Sequence, residues 1–227
     1  MSMDADFCPA CGRETRERLR VEEQRIRAGW RERHRAAKAI AVVFVGVLLS
    51  LVLAGSAGVV WENAAFLLVG LLAVALLGRS AFRQSLAKAT SVRMLVLGML
   101  AGVPSFAISY LYVNALHGSG QGGGADPITI HSVVTLCIMP ALMEEWLCRG
   151  VLWVASRRIA SARNTILITS ILFAMMHGLG GGWTLEFPHR FVAGLIFGWL
   201  RLRSGSLLPG MLAHYLHNSL ALILSSH

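Results

Sequence analysis

Polar and hydrophobic positions fall into long blocks along this chain. Residues 1–38 are polar, and seven apolar stretches follow at roughly 39–60, 63–78, 93–113, 128–156, 163–178, 190–202 and 206–224. About 20 apolar residues in a helix cross the ~30 Å hydrocarbon layer of a bilayer. The pattern therefore predicts an all-α fold, a polytopic membrane helix bundle of about seven transmembrane helices. The second, fifth and sixth stretches are short for a span, which fits tilting or packing inside the bundle. The Gly-rich stretch 117–127 (HGSGQGGGADP) cannot continue a helix and divides the third stretch from the fourth. The polar start, with no apolar h-region, predicts no cleavable signal peptide. Two regions result: a hydrophilic tail over 1–38 and a transmembrane bundle over 39–227.

Composition agrees with a membrane class. Of 227 residues, 55% are hydrophobic and only 15% charged, where about a quarter is usual in a soluble domain. The net charge of +9 raises nucleic acid as a partner. The hydropathy turns that reading aside, because membrane proteins gather Lys and Arg in their cytoplasmic connections. If the helices alternate, the tail, the 79–93 connection, the 149–163 region and the pair Arg201 and Arg203 share one side. Together they hold 20 of the 21 Lys and Arg residues; the other side keeps Arg190 with Glu62, Asp126 and Glu186. A cytoplasmic amino terminus is expected, with His227 outside, and the plasma membrane is the expected location if the cell is prokaryotic. Within the tail, 13–38 has helix formers of mixed charge, which predicts a helix near the membrane surface.

Cys8 and Cys11 form C-P-A-C-G, the turn of a zinc knuckle. A structural zinc site needs four ligands, so this is at most a half-site. Cys137 and Cys148 lie in an apolar helix and read as packing residues.

Ionisable groups inside a span are costly and usually functional. Three clusters qualify: Glu144 to Arg149 (EEWLCR), Phe173 to His177 (FAMMH) and His214 to Asn218 (HYLHN). At ~100° per residue, Arg149 lies ~40° from Glu145 but ~140° from Glu144. Arg149 is expected to pair with Glu145 and leave Glu144 without a local cation. Such a carboxylate in an apolar bundle is poised for acid–base work. His214 and Asn218 share a helix face, with His217 close to it. Counted from the basic end, Glu144 and His177 lie ~20 Å deep, with His214 less deep. These groups are expected to meet in one cavity open to the cytoplasm, where they could activate a water and stabilise an oxyanion.

In order, the clusters read EExxxR, FxxxH and HxxxN. This resembles the CPBP family of intramembrane proteases, which includes type II CAAX prenyl endopeptidases and bacteriocin-processing, Abi-like proteins. The resemblance covers about residues 95–224, including Gly205-Ser206-Leu207-Leu208-Pro209 ahead of His214. It implies an endopeptidase acting on membrane-anchored proteins or peptides, of CAAX or leader type. Glu144 would be the base, Glu145 and Arg149 its support, His177 and His214 the groups holding the water or a metal, and Asn218 an oxyanion donor.

Two mechanisms fit. Glu144 and His177 activate water directly, or His177 and His214 ligate Zn²⁺ and Glu144 deprotonates its water. No H-E-x-x-H sequence is present, and the direct route is preferred. The alternatives in other classes are a proton-coupled transporter, which lacks an evident inverted repeat, and a catalytically silent immunity or scaffold protein.

Overall fold

The computed structural model describes residues 16–54, 59–86, 88–117, 127–181 and 183–226. Cys8 and Cys11 fall outside the described residues. Within them every regular element is helical: α1 (Arg16–Ala54), α2 (Val59–Leu77), the short α3 (Arg79–Ser85), α4 (Val92–His117), α5 (Ile130–Arg157), α6 (Ala162–Gly181), α7 (Trp183–Ser204) and α8 (Leu208–Ser225).

The expected surface helix is continuous with the first span. Helix formers run without a break from the charged segment into the apolar one, so α1 is a single 39-residue helix. Ala36, Ala39, Val43 and Val47 recur at intervals of three and four and are fully buried. They form one stripe against Phe66, Val69 and Ala73 of α2.

α1, α2, α4 and α5 are long and apolar enough to cross a membrane. α6, α7 and α8 are of similar length, with 20, 22 and 18 residues, but are interrupted by polar side chains. Thr165, Thr169, Ser170, His189, Arg201, His214 and His217 are all buried. Each lowers hydropathy without ending its helix, because it faces the bundle interior. α2, α6 and α7 also run beyond their apolar stretches, to Val59–Leu77, Ala162–Gly181 and Trp183–Ser204.

α5 carries the glutamates and starts at a reciprocal cap. Thr129 Oγ1 accepts from the Ser132 amide at 3.1 Å, and Ser132 Oγ accepts from the Thr129 amide at 2.8 Å. Two wide π-helical stretches, Val133–Ile138 and Trp146–Leu152, flank the α-helical turns Met139–Glu145. Such insertions concentrate at functional sites because they re-aim side chains and free backbone groups.

α8 is drawn close to α4 by two glycines one turn apart. A Cβ on Gly98 would collide with Pro209, and one on Gly102 would stand 2.7 Å from the Ala213 carbonyl oxygen. Small residues at this spacing let membrane helices approach backbone to backbone. The contact sets the depth of His214, His217 and Asn218.

Candidate active site

The motif residues form two adjoining groups. The first faces a cavity of about 410 Å³ lined by Glu144 and Pro140 of α5, His177 of α6, Arg190 of α7 and Asn218 of α8. His177 Nδ1 lies 2.9 Å from the Phe173 carbonyl oxygen. A carbonyl only accepts, so Nδ1 carries the proton and Nε2 of the neutral ring keeps its lone pair. Nε2 stands 3.8 Å from Glu144 Oε2. That oxygen is buried and has no hydrogen-bond partner. Two acceptors thus face each other across a gap, and a water donating one proton to each would satisfy both. Asn218 donates one amide N–H to the Leu136 carbonyl oxygen at 3.0 Å, in the first π-helical stretch. This bond orients the amide at the cavity wall and leaves its second N–H free of that partner.

The second group is closed off behind the first. Arg149 donates to Glu145 Oε1 at 2.8 Å and to the Gly194 carbonyl oxygen of α7 at 2.8 Å. Its guanidinium lies 4.7 Å from the centre of the Phe173 ring. His214 Nδ1 is 3.6 Å from Glu145 Oε1, and its ring packs between Phe173 and Phe197 at 5.4 and 5.3 Å. Phe173 is the partition: His177 lies on it at 5.0 Å. His214 is therefore near the cavity but outside its lining.

His217, next to the HxxxN face, bonds Ser105 Oγ of α4 through Nδ1 at 2.9 Å. Cys137 and Cys148 are buried and unbridged, as packing residues should be. Cys148 Sγ lies 3.9 Å from Met176 Sδ.

Zinc finds no ready ligand set here. A catalytic zinc takes three protein ligands, and among the described residues no three His, Cys, Asp or Glu side chains converge on one point. His177 and His214 are turned to different carboxylates.

The cavity was expected to open toward the basic connections, and it does not. Its lining includes Glu62 near the start of α2 and Ser225 at the end of α8, besides Arg190 near the start of α7. His177 is four residues before the end of α6. The basic residues 157, 158, 201 and 203 lie at the other helix ends. A depth of ~20 Å from the basic end is two thirds of the way across a ~30 Å layer, so the far mouth is the nearer one.

Glu62 and Arg190 were not singled out as site residues. Arg190 Nε donates to Glu186 Oε2 at 3.2 Å while the side chain lines the cavity. Its signal in the sequence was being the one Lys or Arg assigned to the acidic side.

Fold and site together define a helical membrane protein with a carboxylate–imidazole pair in a cavity of its helix bundle. Residues 126–220 match the model of a protease family described as type II CAAX prenyl endopeptidase Rce1-like. The matched stretch holds Glu144, Glu145, Arg149, His177, His214 and Asn218, and the likeness agrees with the one that the motifs suggested. Neither curated proteins nor solved structures give a match to the chain.

Proposed function

We propose that this protein is an intramembrane endopeptidase in which Glu144 and His177 activate a water. The observation that carries the reading is their pairing: a partnerless Glu144 oxygen 3.8 Å from an unprotonated His177 nitrogen, at a cavity wall. A water held between them loses a proton to Glu144 as its oxygen bonds to the scissile carbonyl carbon. The carbonyl oxygen becomes an oxyanion, and the free N–H of Asn218 is the donor assigned to it. Collapse breaks the C–N bond, and the proton held by Glu144 passes to the leaving nitrogen. Such acid–base assistance contributes ~10²–10⁴-fold, and one oxyanion donor ~10²–10³-fold. Glu145, Arg149 and His214 are positioning residues, since they fix the turn of α5 that carries Glu144 and the Phe173 partition behind His177.

By rise alone, α6, α7 and α8 are ~30, ~33 and ~27 Å long, enough to cross the layer and bring the count to seven. With the basic end cytoplasmic, the cavity faces away from the cytoplasm. A leader or other translocated peptide then fits better than a cytoplasmic prenylated chain.

The test is cleavage of membrane-anchored peptides by the purified full-length protein in lipid, with parent and Glu144→Gln compared. Loss of cleavage in a variant that keeps its melting temperature supports the peptidase. Equal rates end it.

A further inference from the structure

A second pocket, of about 580 Å³, lies at the opposite, basic end of the bundle between α1, α3, α5 and α7. Four cations line it, Lys88, Arg157, Arg158 and Arg201, against one acid, Glu32. That acid is taken by Arg158 Nε at 3.4 Å. Arg201 is only 7% exposed and is held in place by carbonyl oxygens, those of Arg149 at 3.1 Å, Gln84 at 3.2 Å and Gly205. Carbonyls fix a guanidinium without cancelling its charge. Among the described residues, Arg157 makes one hydrogen bond, to the Ala160 carbonyl oxygen at 3.3 Å. The Lys88 ammonium has no partner among the described residues, and its side chain is exposed.

Three of the four cations thus face the pocket without a carboxylate partner among the described residues. Like charges kept this close repel unless an anion sits among them. Ser80 and Gln84 of α3 add neutral polar groups to the lining, and Trp153 of α5 lines it as well. The depth indicates the source of the anion. The apolar spans end at Leu77 and Arg157 and resume at Val92, so the pocket is level with the headgroups, where Trp also concentrates.

We propose that this pocket binds the phosphate of an anionic phospholipid headgroup. The shared chemistry is a phosphate oxyanion taken by Lys88 and Arg157 above the fixed charge of Arg201. The proposal is independent of the peptidase reading, because it uses other residues at the other end of the bundle.

The experiment is native mass spectrometry of the full-length protein from mixed micelles of phosphatidylglycerol and phosphatidylcholine. Parent protein is expected to retain phosphatidylglycerol selectively. The Lys88→Gln/Arg157→Gln variant should lose that preference roughly thirty-fold, at about five-fold for each cation near an anionic surface. Both side chains are exposed, so the fold should persist, as helical circular dichroism will show. The Arg25→Gln/Arg31→Gln variant removes the same charge from an exposed face of α1 and should keep the preference. Retention at parental level in Lys88→Gln/Arg157→Gln, or equal loss in the α1 variant, overturns the site. A third arm adds excess inorganic phosphate to parent protein. Binding of free phosphate with no selection between the two lipids overturns the lipid assignment.

Discussion

The guanidinium of Arg149 and the carboxylate of Glu145 form an ion pair at 2.8 Å with both side chains shut away from the surface. The same guanidinium reaches the Gly194 carbonyl oxygen of α7 and lies over the Phe173 ring of α6. One side chain therefore ties three helices together behind the cavity. Removing one member of a buried pair leaves the other uncompensated, at about 3–5 kcal/mol. Arg149→Met, which keeps the stem, should melt well below the parent in detergent. Glu144→Gln should melt close to the parent, because Glu144 Oε2 has no hydrogen bond to lose. An Arg149→Met protein as stable as the parent would show that the pair is not structural.

Stability should also depend on the close contact of α4 with α8. A valine at Gly102 would drive side-chain atoms into the Ala213 carbonyl and the Leu216 side chain. Overpacking of this kind costs about 1–3 kcal/mol. Gly102→Val should lower the melting temperature and shift α8, reducing turnover as well. Gly29→Val, on a part of α1 where a Cβ meets nothing within 4 Å, is the control and should do far less.

How much of this was legible beforehand follows from what each feature depends on. The Glu145–Arg149 pair is local to one helix, so angles along that helix located it. The four long apolar helices follow from hydropathy, which is additive along the chain. The lengths of α6 and α7 do not, because the glycines that end α6 and Glu186, Pro188 and His189 in the first turns of α7 read as a break although they lie within helices. Two features are set by tertiary packing. The facing of His214 onto Glu145 depends on Phe173 and Phe197 from two other helices. The direction of the cavity depends on which helix ends close, and depth counting alone could not supply that. Arg190 and Glu62 reach the site from segments read only as connections.

Orientation has a direct check. If the basic end is cytoplasmic, Cys8 and Cys11 should resist an impermeant thiol reagent in intact cells. A cysteine placed at Ser225, which lines the cavity mouth, should react in the same cells when Cys8 and Cys11 are replaced by Ser. Labelling of Cys8 and Cys11 with protection at position 225 would turn the molecule over and put the cavity on the cytoplasmic side.

His217 separates packing from chemistry. It is buried and bonds Ser105 across to α4, but it does not line the cavity. His217→Ala leaves a hydroxyl unpaired and a void, so stability should fall by about 1–3 kcal/mol. Its kcat on a membrane-anchored peptide should stay within a few-fold of the parent below the melting transition. A collapse of kcat without a change in stability would move His217 into the catalytic group.

The pairing of Glu144 with His177 makes the most specific demand. If both act on one water, removing either already destroys the arrangement, and removing the second adds little. Glu144→Gln, His177→Ala and the double variant should therefore lose similar factors in kcat, at least the ~10²–10⁴ that general acid–base assistance supplies. Independent roles would instead multiply, giving the double variant a loss near the product of the two. His177→Gln refines the test. Its amide can still offer an oxygen to the water but lacks the ring that Phe173 holds at 5.0 Å, so partial recovery over His177→Ala is expected. The measurement is single-turnover cleavage of one anchored peptide by all four variants in the same lipid. Multiplicative losses, or full activity in His177→Ala, would break the shared-water mechanism even if Glu144 proved essential.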